Sequence, residues 1–407
     1  MKILIVAMTN SIHTARWVKF ISDLNWQIYV FPSDFLLIPH PNLKNVNIIG
    51  SKINRFLASK YKKQRAKKIK EENIELKNLK KPKIASPITF SGFLREFLND
   101  NFYSFKVNKL IKVIRKVKPD IIHSLHIQEA AYLTLNARRR YKGIFPKWIV
   151  TNWGSDIHLF GNIKSQREKI IEVLKNCDYY SAECSRDIVL AQKLGFNGKL
   201  LKVIPNSGGI DFSLISKIRS NVPASKRRNI MLKGYQGWSG RALVGIRALE
   251  RCADILKGYK VIIYSSNSIE LPIAAELFTE KTGVETEIVS SETTYEEILK
   301  YHGSSRISIG LSITDAISTS LLEAMVMGSF PIQSDTSCAN EWVNDGETAI
   351  LVQPEDPEEV EKAIRVALTN DELVDEAAKK NYKVLFDRIE YSKVKEIVIK
   401  QYEEIAG

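Results

Sequence analysis

Short, wholly apolar runs alternate with longer amphipathic stretches along this chain. In the first half the runs are KILIVAM (2–8), QIYVFP (27–32), VNII (46–49), DIIHSL (120–125), WIVTN (148–152), DYYSA (178–182) and LLKVI (200–204). Between them lie helical stretches such as HTARWVKFISDL and AAYLTLNARRR. Continuous apolar strands alternating with helices predict βαβ units and a parallel sheet buried on both faces. The second half repeats the pattern with NIMLK (229–233), KVIIY (260–264), TEIV (286–289), RISIGL (306–311), FPIQ (330–333) and AILV (349–352).

Two such sets predict two α/β domains, 1–207 and 208–385, with the polar segment near Pro205 to Pro223 as linker. The closing stretch YSKVKEIVIKQYEEIAG (391–407) reads as a helix with no strand after it. Residues 386–407 are expected to cross back onto the first domain. A length of 407 residues agrees with more than one core. No window holds the roughly 18 to 20 apolar residues that a bilayer-spanning helix needs. The N-terminus MKILIVAM runs into polar TNSIH without a small-residue cleavage site, so it reads as a buried strand and the chain is expected to be cytoplasmic.

Charge changes this picture locally. Residues 51–85 carry 13 basic side chains against three acidic ones, most of the chain's net charge of +14. Such a run either solvates a helix surface or seeks an anionic partner, and it sits in a basic insertion at about 50–110 of the first domain. Cys177, Cys184, Cys252 and Cys338 show no CxxC spacing, and the six histidines no HExxH, so neither a disulfide framework, a metal nor a cofactor is expected.

Doubly wound sheets bind ligands beyond the C-terminal ends of their strands, which directs attention to three loops. The first, MTNSIHTARW, has no glycine where a dinucleotide fold needs GxGxxG; Ser11, His13 and Thr14 form a polar helix start, either a plain N-cap or one that turns His13 to the cleft. The second, LKGYQGWSGRAL, brings Lys233, the close-approach glycine Gly234 and Arg241 to a helix N-terminus, an arrangement suited to a diphosphate. The third, GLSITDAISTSLLEAMVMGSFPIQSD, is the most informative. Ser318, Thr319 and Ser320 open a helix whose free N–H groups suit a phosphate, Glu323 one turn inside can accept from a ribose diol, and Asp315 can reach a sugar hydroxyl.

The Asp315-x7-Glu323 spacing followed by AMVMGSFPIQSD resembles the E-x7-E region of retaining glycosyltransferases of the GT-B fold, family four. IPNSGGID (204–211), GETAILVQPEDPEEVEKAI (346–364), PDIIHSLH (119–126) and TNWGSDI (151–157) resemble other parts of that family. The likeness implies two Rossmann-like doubly wound domains facing a central cleft, with a nucleoside-diphosphate sugar as co-substrate on the second. It implies that Lys233 and Arg241 neutralise the diphosphate and that Glu323 binds the ribose. Asp315 would meet the transferred sugar, and backbone near Ser318 to Ser320, with Gly234 and Ser290, would complete donor binding. Asp156, His126, His13 and Trp153 are candidates to orient acceptor or sugar hydroxyls. The chain departs from the pattern in three places: Asp315 stands for the first glutamate, Trp153-Gly154-Ser155-Asp156 for an HG-type element, and Ser11 to Thr14 for a glycine loop. The expected activity is metal-independent hexosyl transfer to a glycan or lipid-linked acceptor, in cell-surface polysaccharide synthesis, with the basic segment 51–85 on an anionic membrane face. A nucleotide-sugar epimerase of the same fold, or a non-catalytic basic membrane or nucleic-acid adaptor, remain as alternatives. No nucleic-acid-binding motif supports the latter.

Overall fold

A computed structural model describes residues 1–34, 39–50, 91–205, 208–290 and 293–407, with side chains of the helix 91–117 described from residue 103. The basic segment 51–85 lies outside the described residues. The thirteen expected strands are present in order. β1 (Lys2–Ala7), β2 (Gln27–Pro32), β3 (Asn47–Ile48), β4 (Ile121–Leu125), β5 (Lys147–Thr151), β6 (Tyr179–Ser181) and β7 (Lys199–Leu200) form one parallel sheet in the order β3-β2-β1-β4-β5-β6-β7. β8 (Asn229–Lys233), β9 (Lys260–Tyr264), β10 (Glu285–Ile288), β11 (Ser305–Gly310), β12 (Phe330–Ser334) and β13 (Ile350–Val352) form the other in the order β10-β9-β8-β11-β12-β13. The two α/β units are therefore wound alike, and their central strands explain why: β1, β4 and β11 are buried almost throughout, as strands covered by helices on both faces must be. The edge strand β7 is short and ends at Leu200, so most of LLKVI lies beyond the ladder.

The chain direction reverses its winding between β1 and β4, and again between β8 and β11. At those switch points the loops beyond the strand ends diverge and leave a crevice. The α-helices among the described residues are α1 (Ile12–Lys19), α2 (Ser91–Val117), α3 (Tyr132–Arg140), α4 (Ser155–His158), α5 (Lys164–Asn176) and α6 (Ser185–Lys193) in the first half. α7 (Phe212–Ile218), α8 (Ala242–Arg251), α9 (Glu270–Thr282), α10 (Tyr295–Ser304), α11 (Thr319–Met327), α12 (Pro357–Thr369), α13 (Asp371–Ile389) and α14 (Tyr391–Ala406) follow. No helix among the described residues is long and apolar enough to cross a membrane.

Of the insertion expected at about 50–110, residues 51–90 lie outside the described residues, while Val107, Leu110, Ile111 and Ile114 of α2 are buried in the same core as Leu4, Val6 and Ile122. The segment near Pro205 to Pro223, expected as the linker, is partly helical. It folds into α7, whose Phe212 and Ile215 are buried, and Asp211 caps it by accepting from the Ser213 and Leu214 amides. Beside it the chain passes between the halves a second time. Ile210 donates to the Ile389 carbonyl at 2.8 Å and accepts from the Tyr391 amide at 2.9 Å, so the two passages are stitched together as a short parallel bridge.

After that bridge, α14 lies against the first sheet's helices. The Tyr402 hydroxyl accepts from Trp17 Nε1 at 3.0 Å and faces His123 Nδ1 at 2.6 Å, while His123 Nε2 faces Thr151 Oγ1 at 2.7 Å. With its oxygen receiving the indole proton, Tyr402 donates to Nδ1, and the imidazole donates onward from Nε2. Burial drives the His123 pKa down to about 3, which keeps the ring neutral as this relay requires. Tyr402→Phe leaves two buried polar atoms without partners and is expected to lower the unfolding free energy by about 2 kcal/mol in urea titrations. A loss within about 0.5 kcal/mol would show that α14 is not seated through this hydroxyl.

Candidate active site

The strand ends of both sheets enclose a cavity of about 600 Å³. Its second-half wall begins where β8 stops. Lys233 reaches toward α11, with Nζ 3.4 Å from the Ser318 hydroxyl, and lies 4.5 Å from the centroid of the Tyr235 ring. Ser318 is the N-cap residue of α11, yet its hydroxyl bonds Lys233 and Ser320 instead of capping the helix. The first amides of α11 thus lack a side-chain cap, and the positive end of the helix dipole adds to the lysine. Glu323 follows one turn inside, largely buried. Burial raises its pKa, while Arg16 and Lys233 act against that rise. Asp315, in the loop between β11 and α11, is likewise raised by burial and accepts from the Ala316 amide at 3.0 Å.

The facing wall comes from the first half. His13 sits on the first turn of α1, where Ser11 caps the helix by accepting from the His13 amide. The Trp153 ring is met by two imidazoles, those of His13 and His126, each with its centroid 5.4 Å away. Burial lowers both histidines to about 4, with Arg16 and Lys233 adding to the effect at His13, so both are neutral hydrogen-bonding groups near pH 7. His126 adopts φ +83°, a conformation that costs a non-glycine residue free energy, and its buried Nδ1 has no partner within the protein. Asp156 is fully buried and clamps two loops, accepting from the Ile127 amide at 3.0 Å and the Trp153 amide at 2.7 Å. Burial raises its pKa to about 7 against those bonds.

The walls come into close backbone contact at Gly154. Gly154 turns with φ +86° directly under the Asp315–Ala316 peptide, and a Cβ there would lie 2.0 Å from the Ala316 nitrogen. Around it Ser155 Oγ bonds the Thr314 carbonyl, His158 Nδ1 lies 3.3 Å from Thr314 Oγ1, and Arg186 donates to the Asp315 carbonyl at 2.7 Å.

Of the residues singled out from sequence, Lys233, Asp315, Glu323, Thr319, Ser320, Asp156, His13, His126 and Trp153 line this one cavity. Ser318 stands just behind it. Arg241 does not line it: its guanidinium is turned outward onto Glu355 at 2.8 Å and the Gly240 carbonyl at 3.1 Å. Gly234 packs the end of β8 against β9, where a Cβ would come within 2.9 Å of Leu271 and of the Tyr264 carbonyl. Ser290 is exposed and away from the cavity lining. Arg16 was not singled out. It projects from α1 across the cleft, 3.6 Å from Glu323 and 4.5 Å from the Tyr295 ring centroid. Its position three residues after His13, on the same helix face, is the signal that marks it. Phe160 and Trp238 also face each other across the cavity mouth, with ring centroids 5.8 Å apart.

Two family models match the chain: glycosyl transferases group 1 over residues 275–384 and glycosyl transferase 4-like over residues 62–179, together more than half of its length. A search of curated proteins gives no match. Among solved structures the chain is similar to sucrose-phosphate synthase from Thermosynechococcus elongatus, with 15% identity, 100% of this chain and 99% of that one covered, and a TM-score of 0.67. Anabaena HepE in complex with UDP-glucose aligns at 11% identity over 99% of this chain and 100% of that one, with a TM-score of 0.66. A glycosyltransferase from Rickettsia africae aligns at 16% identity over 99% and 98%, with a TM-score of 0.60.

Two measurements probe the cleft. Gly154→Ala is expected to push the halves apart, raising the radius of gyration in small-angle scattering and weakening any ligand that touches both walls; an unchanged radius would contradict the contact. His126 gives a pH signature. Its folded pKa of about 4 lies below the ordinary 6.5, so its contribution is intact above pH 6.5 and is lost as pH falls toward 4. The stability difference between wild type and His126→Asn should shrink by about 3 kcal/mol between pH 7 and pH 4 in urea titrations, and a pH-independent difference would refute the neutral imidazole.

Proposed function

Because the chain is a GT-B glycosyltransferase of the group 1 family, we propose that it transfers a hexose, with retention of anomeric configuration, from a nucleoside-diphosphate sugar to a hydroxyl of a glycan or lipid-linked acceptor. One observation carries the reading: Lys233, the uncapped amino end of α11 and Glu323 converge on the second-half wall within the span of one helical turn. Positive charge and free amides at that spot suit a diphosphate, and a carboxylate one turn along suits a ribose diol. Anabaena HepE, of the same fold, is described in complex with UDP-glucose, which fits a donor of this class.

In the proposed reaction the bond between the anomeric carbon and the diphosphate oxygen breaks as the acceptor oxygen arrives on the same face. The acceptor proton passes to the departing phosphate oxygen. Lys233 and the α11 amides supply the charge that stabilises the leaving group, so no metal is called on for this step. Asp315 takes a hydroxyl of the transferred sugar. The unpartnered His126 Nδ1, with His13 also beside Trp153, accepts from an acceptor or sugar hydroxyl. Asp156 acts through the backbone it clamps, as a positioning residue. Glu323 exchanges Arg16 for the ribose when the donor enters. A role in cell-surface polysaccharide synthesis, with the basic segment 51–85 holding the enzyme to an anionic membrane face, belongs to the same proposal.

A thermal-shift screen with UDP, GDP, ADP and their sugars identifies the donor, since a bound nucleotide raises the melting temperature by mass action. Lys233→Ala is expected to lower kcat/KM about 100- to 1,000-fold, the scale of losing one preorganised charge stabiliser. Arg241→Ala, which removes only an outward pair with Glu355, should cost less than about tenfold. Equal losses would return Arg241 to the diphosphate. Anomeric coupling in the product's NMR spectrum reads retention directly. Sugar interconversion without an acceptor would favour an epimerase, and a folded protein that responds to no nucleotide would favour the adaptor reading.

A further inference from the structure

A second cluster of reactive side chains joins the two halves beside the cleft, and sugar transfer makes no use of it. Cys184, the N-cap residue of α6, belongs to the first half; Cys338 opens a short turn, Cys338–Glu341, after β12 in the second. Both are buried and pack against Ala316, the residue under Gly154. The two sulfurs and a carboxylate oxygen of Glu341 all lie within 4.8 Å of one another. Glu341 is held there because its Oε1 accepts from the Ser185 amide at 2.8 Å, again across the halves.

Two sulfurs and a carboxylate are the donors that zinc-like cations take. In a tetrahedral site with Zn–S bonds of about 2.3 Å, the sulfurs stand about 3.8 Å apart, so shifts of about 1 Å or less close this triangle. A bound dication would take both sulfurs as thiolates, releasing one proton from each. The other two cysteines, Cys177 and Cys252, are buried in the separate cores of the first and second halves and serve as internal controls.

We propose that Cys184, Cys338 and Glu341 form a structural site for a divalent d10 cation of the Zn²⁺ class, with water completing the tetrahedron, which ties the two halves together at the edge of the cleft. Because the ligands come from both halves, separating them requires the ion to lose at least one bond, so occupancy favours the closed arrangement. The site does not depend on the sugar-transfer reading, and its test needs no substrate.

The full chain is purified after growth with Zn²⁺, gel-filtered, and assayed for metal by mass spectrometry. About one zinc per chain is expected, falling severalfold in Cys184→Ser and in Cys338→Ser and unchanged in Cys177→Ser and Cys252→Ser. Chelation should lower the melting temperature of the wild type and leave that of the Cys184→Ser/Cys338→Ser double variant unmoved. Should the variants fail to fold, Co²⁺ added to chelator-treated wild type gives an independent reading: sulfur-to-cobalt charge-transfer absorption of two-thiolate intensity supports the site. The proposal is overturned by zinc retained in the double variant, by Co²⁺ spectra without thiolate bands, or by metal-free protein whose mass is lower by two hydrogens, the mark of a Cys184–Cys338 disulfide.

Discussion

The two sheets of this protein face each other across a cleft whose closest backbone contact leaves no room for a side chain. Gly154 lies so close to the Asp315–Ala316 peptide that any Cβ would overlap backbone, and its positive φ would strain other residues even without the clash. That contact packs the Asp315 loop against the loop after β5. It also carries its neighbours: Ser155 and His158 bond Thr314, and Arg186 bonds the Asp315 carbonyl, all within the same strip. The loop after β5 and the loop after β11 are thus fixed against each other. Asp156 fixes the first of them from below by accepting two backbone amides.

Charge in the cleft is arranged by the same closeness. Glu323 and Asp315 are buried carboxylates whose pKa values rise with desolvation, and the cations that offset this come from both walls, Lys233 from the second half and Arg16 from the first. Arg16 lying 3.6 Å from Glu323 across the cleft gives that carboxylate a partner, which a buried acid needs. The facing histidines take no part in that balance. Burial holds them neutral, so the wall they share with Trp153 presents hydrogen-bonding atoms and an aromatic face, while the opposite wall carries the charge.

A second link between the halves lies beside Arg16 and Glu323. The chain passes between the halves near Ile210 and again near Tyr391, and the two passages hydrogen-bond to each other. Beyond the second, α14 is held to the first half through Tyr402, whose hydroxyl completes a buried line from Trp17 through His123 to Thr151. The halves are therefore joined here by two hydrogen-bonded passages of the chain, with α14 packed on the first half.

Much of this was legible without coordinates. All thirteen strands, their parallel arrangement and the loops that bear Lys233, Asp315, Glu323, His13, His126 and Trp153 follow from apolar runs of strand length, from helix starts rich in hydroxyls, and from the rule that ligands gather at strand ends; these are local properties, set by a few neighbouring residues. What the sequence left undecided concerns where side chains point and what distant segments meet. Arg241 sits on the expected glycine loop but turns out to Glu355, because Glu355 lies in a segment no spacing connects to it. Arg16 reaches Glu323, and Cys184 meets Cys338, only after two separately wound sheets are brought face to face. Periodicity along a chain records which face of an element is buried; it carries no record of which element covers that face, and that pairing is settled by packing alone.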